Sequence, residues 1–353
     1  MALLPSSKML FSGLFAASLA ALTQLTSAAT FSNPLRETDG SDPQIVWYDG
    51  YYYLMTTTWT DVQLTRATTI EGLKTGERKT VWVDSDPSRC CSVWAPELHE
   101  IDGTWFIYYS AGTAENLDGQ RPQVLEGGAH PWDNDYAWVA TLTDNWGIDG
   151  TVATISNSRY FIYSCFLGTD IQSLCIAPMT SATQLGTSVL ISEPLEDWFV
   201  LPHPLPSWSS PLTPRPRETV GAPVNEGPYV MEHSGTYFMT YSASYCWTTS
   251  YQLGLLTLTG ADPLDRAAWT KSGPLFSSAN GNYGTAHNAF FASPDGTEIW
   301  NVYHATSNTG GSCDGNRYTM VDRVAWNEDG SPDFGTPSPL GEVLDGPSGE
   351  PAS

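Results

Sequence analysis

Five residues that can exchange protons or hold a polar ligand, Asp42, Glu97, Asp149, Glu226 and His287, each stand a short way before a turn-like cluster of Asp, Asn, Ser or Gly. Counted to Gly50, Gly103, Ser158, Gly235 and Gly296, the distances are 8, 6, 9, 9 and 9 residues. Spacing this regular implies that the same kind of element carries all five. Arranged around one axis, such elements would bring four carboxyls and an imidazole together. That gathering is costly in a merely structural core, because like charges repel and burial opposes ionisation. It suits acid–base chemistry: a carboxyl kept protonated can protonate one side of a bond while another, kept ionised, activates water on the other side. Taken singly, each acid could equally cap a turn or a strand end; the set is what points to a site.

The elements that must position these residues repeat. SDPQIVWYDGYYYLMTTT (41–58), WAPELHEIDGTWFIYYSAG (94–112), IDGTVATISNSRYFIYSC (148–165), VNEGPYVMEHSGTYFMTYSAS (224–244) and AHNAFFASPDGTEIWNVYHAT (286–306) share one layout. A polar residue opens a short apolar run, a turn rich in Asp, Asn, Ser and Gly follows, and an aromatic, β-rich run closes the unit. Asp-Gly and Ser-Gly between such runs are hairpin signals. The intervals of 53, 55, 77 and 61 residues between the turn markers suit four-stranded propeller blades with loops of variable length. No long segment carries helical periodicity with good caps. The expectation is an all-β, single-domain, five-bladed propeller over residues 30–345, with two long loops, 113–136 and the Pro-rich 201–223, and a flexible tail over 346–353. The first strand of each blade would line the axis, which places the five polar residues at one mouth of the channel.

Composition bounds the partners. The net charge of −23 argues against nucleic acid and anionic membrane surfaces. With 14 Trp, 17 Tyr and 12 Phe, the chain has aromatic faces enough for strand packing and for stacking on sugar rings. Residues 1–29 read as a secretory signal peptide: Lys8, an apolar run from Met9 to Leu22 that is short for a bilayer span, then Ser27, Ala28 and Ala29. Export makes disulfides the expected state of the six cysteines. Cys165–Cys175 would close a hairpin, Cys246–Cys313 would tie neighbouring repeats, and Cys90 and Cys91 would be left as a vicinal pair.

At these residues the sequence resembles glycoside hydrolase family 43, five-bladed propellers that hydrolyse arabinose- and xylose-containing polysaccharides with inversion. The Ser-Asp-Pro of 41–43, the Ile-Asp-Gly-Thr-Val of 148–152 and the Asn-Glu-Gly-Pro of 225–228 resemble, in order, the family's general-base, pKa-tuning and general-acid motifs. The resemblance implies that Asp42 is the base, Glu226 the acid and Asp149 the residue that keeps Glu226 protonated and oriented. SRCCSVWAPELH (88–99) and SASYCWTTSYQLGLLT (242–257) are similar to the secreted exo-acting α-L-arabinofuranosidases of the family, which act on α-1,5-linked arabinan. The implied partner is plant cell-wall arabinan or its oligosaccharides, and the enzyme is expected to be a monomer that needs no cofactor. Trp94 and Glu97 would line the sugar pocket, with Trp59, Trp247 and Arg317 as further contacts and Arg323 as an alternative arginine. His287 would lie on the axis, holding a water or a structural cation (Ca or Na), or serving as an ordinary channel histidine. A β-xylosidase, an endo-arabinanase and a non-catalytic arabinan-binding lectin are the alternative readings on the same propeller.

Overall fold

The computed structural model describes residues 29–132, 135–195 and 218–351. The signal-peptide segment and most of the Pro-rich loop lie outside them. Five antiparallel sheets follow one another along the chain. Blade 1 comprises Gln44–Tyr48, Tyr51–Met55, Val62–Ala67 and Glu77–Trp82, and blade 2 Cys91–Ile101, Thr104–Gly112, Arg121–Glu126 and Ala137–Thr141. Blade 3 has Gly147–Ile155, Ser158–Cys165 and Ser173–Ser181, with an outer edge split between Gln184–Leu185 and Val189–Ser192. Blade 4 comprises Asn225–His233, Thr236–Ala243, Gln252–Leu258 and Trp269–Phe276. Blade 5 has three strands, Tyr283–Ala292, Ile299–Thr306 and Tyr318–Arg323. The first strand of every blade meets the first strand of the next, and that of blade 5 meets that of blade 1, so the five enclose a common axis.

The turns form as their residues dictate. Asp49-Gly50, Asp102-Gly103, Ser156-Asn157 and Ser234-Gly235 all have positive φ at both positions, the condition for a two-residue I′ hairpin turn. Packing then joins the blades. Each of the five buried apolar clusters draws its residues from two adjacent blades, as where Val62 and Leu64 meet Ile107 and Leu125, or Ile45 and Leu54 meet Val302 and Val321. A blade therefore buries both faces only inside the ring.

The seam between blades 5 and 1 is closed by the N-terminal segment. Leu35 N–H donates to Thr319 O (2.9 Å), Thr319 N–H to Arg36 O (2.9 Å) and Gly40 N–H to Arg317 O (3.0 Å), so this segment acts as the fourth strand of blade 5. Approach is close enough that a Cβ on Gly40 would lie 2.6 Å from Thr319 N. Two residues later the chain is at the axis with Asp42. Thr30–Ser32 also pairs with Val343–Asp345. The expected free tail is corrected over its described part: Gly346 N–H donates to Ala29 O (2.7 Å), Ser348 N–H to Glu298 Oε2 (3.0 Å), and Glu350 Oε1 accepts from Ile70 N–H (2.8 Å). Backbone groups that find partners on blades 1 and 5 hold this segment down.

Candidate active site

Each first strand is interrupted near its start by a residue with positive φ: Asp42 (55°), Ala95 (46°), Asp149 (56°), Gly227 (54°) and His287 (44°). In blades 2 to 5 the register slips there, so the strand bulges toward the axis. The backbone N–H at this point is caught by the preceding blade: Ala95 by Thr57 Oγ1 (2.8 Å), Asp149 by Ser110 Oγ (3.0 Å), His287 by Ser242 Oγ (2.8 Å) and Asp42 by His304 Nδ1 (3.1 Å). At the blade 3–4 junction Ser164 Oγ donates instead to Asn225 O (2.9 Å). The second strand of one blade thus fixes the functional residue of the next.

This bulge revises the equivalence read from spacing. Asp42, Asp149 and His287 occupy one tier, shared with Ala95 and Gly227. Glu226 stands one residue earlier, level with Trp94 and Ile148. Glu97 stands two residues past the tier, and its position as a pocket-lining residue is corrected: it is buried down the channel, with Oε2 2.7 Å from His99 Nε2. The counts to the turn follow the tier: Asp42, Ala95 and Gly227 each stand eight residues before Gly50, Gly103 and Gly235, whereas Glu226 stands nine and Glu97 six.

The first two tiers open into a cavity of about 230 Å3, lined by Asp42, Asp149, Glu226, His287, Arg317 and the aromatic rings of Trp59, Trp94, Tyr245, Trp247 and Tyr251, with Leu117 at its rim. Its acids and ring faces suit a sugar ring. Trp59 and Trp94 meet edge to face (6.5 Å), and Trp59 Nε1–H donates to Asp39 Oδ1 (3.1 Å). The Cys246–Cys313 bridge forms part of the wall and ties the loops of blades 4 and 5. The other two expected disulfides, Cys165–Cys175 and Cys90–Cys91, are also present. A larger cavity of about 430 Å3 at the edge of blade 5 includes Arg323, paired with Glu298 (3.0 Å) at the surface, so of the two candidate arginines only Arg317 reaches the axis.

Electrostatics divide the acids into two kinds. Burial alone would push the Asp42 carboxyl up, but Arg317 Nη1 (3.3 Å) and His287 Nδ1 (3.2 Å) hold it well below the usual carboxylate range. Thr57 Oγ1–H adds a 2.6 Å hydrogen bond to Oδ2. Asp149 and Glu226 go the other way. Burial pushes both up, against the His287 charge, and the neighbouring carboxylates add to the shift. Together they keep a proton that Asp42 has lost. Glu226 is gripped at both oxygens, by Tyr251 O–H (2.9 Å) and Gln172 Nε2–H (2.7 Å).

Two histidines beside Asp42 are in opposite states. Burial opposes a charge on His287, but Asp42 and Asp149 outweigh it and raise its pKa to about 9. Burial and Arg317 lower His304 to about 3. Among the described residues, no group of three or more His, Cys, Asp or Glu side chains is arranged to hold a metal ion. His287 Nδ1 lies between two carboxylates, 3.2 Å from Asp42 Oδ1 and 3.8 Å from Asp149 Oδ2.

The chain and its five-bladed ring have counterparts among known proteins. The model of glycosyl hydrolases family 43 matches residues 31–332. The chain belongs to glycosyl hydrolase family 43. An extracellular exo-α-(1→5)-L-arabinofuranosidase of Streptomyces avermitilis is 37% identical over 92% of this chain and 69% of its own length. α-L-Arabinofuranosidase 43 of Humicola insolens is 36% identical over 85% of this chain and 62% of its own. The crystal structure of an α-L-arabinofuranosidase from Lactobacillus brevis superposes with a TM-score of 0.77 at 31% identity, covering 88% of this chain and 98% of that one.

Within this family 43 site, sequence reading missed His304, Tyr251 and Gln172. His304 had a signal: it ends a second strand where the other blades carry Thr57, Ser110, Ser164 and Ser242. Tyr251 and Gln172 had none, because both come from loops or strand starts outside the repeat. The structure also explains the glycine of Asn-Glu-Gly-Pro. Gly227 has φ +54°, and a Cβ there would lie 2.9–3.1 Å from three atoms of the His287 ring. Gly227→Ala is expected to displace His287 from between Asp42 and Asp149 and cost about 10²-fold in kcat/KM, since small displacements of catalytic groups have effects of that order. Steady-state kinetics alongside thermal unfolding checks this; wild-type rates in a folded variant contradict it.

Proposed function

We propose that this chain is a secreted, inverting exo-α-L-arabinofuranosidase that releases L-arabinose from α-1,5-linked arabinan. The observation that carries the reading is the arrangement of three buried acids around one small pocket: Asp42 is paired with Arg317 and His287, which favour its ionised form, while burial pushes Asp149 and Glu226 toward holding a proton. Glycoside hydrolysis through a pair of carboxyls needs such a split in protonation, and inversion is inferred from the family. Glu226 protonates the leaving oxygen, and Asp42 takes a proton from water on the opposite face of the sugar. Asp149, as a buried acid beside Glu226, keeps the proton available by like-charge repulsion. Trp59, Trp94 and Trp247 offer ring faces to the sugar, and Arg317 holds Asp42 in place. Reaction in this family needs no cofactor.

The substrate is inferred from the relatives' names and from a pocket whose acids and ring faces suit a sugar. Export is inferred from the signal-like residues 1–29, the three disulfides and the extracellular naming of the Streptomyces relative. The test is release of free arabinose from debranched linear arabinan. Arabinose as the first and main product is expected. Oligosaccharides appearing first would favour an endo-arabinanase, xylose release from xylo-oligosaccharides a β-xylosidase, and arabinan binding without cleavage a lectin.

A further inference from the structure

A second aromatic-lined feature lies on the same face, over blade 3. Trp146 and Phe166 form a tilted aromatic pair with ring centroids 4.6 Å apart. With Asn145, Tyr163, Leu167 and Gly168 they line a cavity of about 210 Å3. Phe166 leaves 41% of its surface exposed, so its ring is open to a ligand. Asn145 contributes an exposed amide, so the hollow combines ring faces with a hydrogen-bonding edge. This is the composition of a carbohydrate-binding surface, since sugars present C–H faces to rings and hydroxyls to amides.

Three connections tie this hollow to the catalytic pocket. Trp146 Nε1–H donates to Leu117 O (2.9 Å), and Leu117 itself lines the pocket. Trp146 stands two residues before Ile148 and three before Asp149 on the strand that enters the axis. Phe166 stands on the loop that ends at Gln172, whose amide grips Glu226 Oε2 (2.7 Å). Two of the three lead to the Asp149–Glu226 side: Trp146 through the strand that carries Asp149, and Phe166 through the loop that ends at Gln172. On the functional reading above, Glu226 protonates the leaving group, so the rest of the polysaccharide must leave the pocket on that side.

We infer that the Trp146–Phe166 hollow is a distal subsite that binds the uncleaved remainder of an arabinan chain while its terminal residue sits in the catalytic pocket. The occupant is the furanoside chain itself, held by stacking on Phe166 and Trp146 and by the Asn145 amide. The inference rests on the proposed role of Glu226 and on exo-action.

Linear α-1,5-arabino-oligosaccharides of increasing length and an aryl α-L-arabinofuranoside, which has no chain to bind, separate the possibilities. Wild type is expected to show kcat/KM rising with chain length. Phe166→Ala should lose about 2- to 10-fold on the longest oligosaccharides, through KM, the range that aromatic contacts supply, and keep its rate on the aryl glycoside. Asn145→Ala should lose in the same direction, and Phe166→Tyr, which keeps the ring, should behave as wild type. An unchanged length dependence in Phe166→Ala and Asn145→Ala overturns the subsite. So does an equal loss on the aryl glycoside and the oligosaccharides, which assigns Phe166 to the fold. Failure of wild type to release arabinose from any length is a separate outcome that removes the functional reading and the subsite with it.

Discussion

Asp42→Asn is expected to lower kcat by about 10²–10⁴-fold on arabinan and by a similar factor on an aryl arabinofuranoside, the range for loss of a general acid or base. Both substrates suffer because both need an activated water, whatever their leaving group. Asn is the appropriate replacement. It fills the same space and can turn its Oδ1 to Arg317 Nη1 and donate from Nδ2 to Thr57 Oγ1, so both neighbours keep a hydrogen-bond partner although the charge is lost, whereas Ala would leave Arg317 with neither. Losing one member of a buried charge pair is strongly destabilising. His287 can relieve part of the imbalance: with Asp42 neutral, a main cause of its raised pKa is gone, and it can discharge. The variant should therefore fold, with a lowered melting temperature. NMR of the first-formed sugar from the wild-type reaction provides the companion measurement. The β-anomer first from an α-L-arabinofuranoside is the expected result; the α-anomer first would falsify the roles given to both Asp42 and Glu226.

Glu226→Gln is expected to abolish most arabinan hydrolysis, again by about 10²–10⁴-fold, yet to spare much of the rate on a dinitrophenyl arabinofuranoside. That leaving group is acidic enough to depart without a proton, so the acid is dispensable there and the base is not. The contrast between the two variants assigns the roles, since any loss caused by misfolding would affect both substrates alike. The pH profile supplies a second readout with a definite sign. Asp42 is held ionised below the ordinary carboxylate range, so the wild-type rate on arabinan should persist well into acid. It should fall as pH rises through the point where the Asp149–Glu226 pair, pushed up by burial, gives up its proton. In Glu226→Gln with the dinitrophenyl substrate that basic limb should disappear, because no proton is required. A basic limb unchanged in position and depth would mean that some other group supplies it.

How these residues reach one another is only partly written in the chain. The five repeats follow from local rules: Asp-Gly, Ser-Gly and Ser-Asn turns flanked by β-branched and aromatic runs can hardly form anything but hairpins. Five hairpin units of this length, each with two apolar faces, imply a closed ring. The motifs at 41–43, 148–152 and 225–228 likewise place Asp42, Asp149 and Glu226 at strand starts, and hence at one mouth of the axis. The cysteine pairings were legible for the same reason, since neighbouring repeats put Cys246 and Cys313 on the same face.

Glu97 and Glu226, grouped as openers of equivalent repeats, stand on opposite sides of the active tier, a three-residue offset that their counts of six and nine to the turn already carry. Tertiary structure decided the rest. His287 is pressed toward its charged form only by Asp42 and Asp149, residues 245 and 138 positions away in the chain. Glu350 read as part of a loose tail, and its carboxylate accepts from Ile70 N–H, 280 residues distant in the chain. The sequence by itself determined which groups can carry protons and on which kind of element they stand. Which of them are charged was decided only when ring closure buried them side by side, because a pKa is a property of the surroundings and the surroundings here come from all five blades.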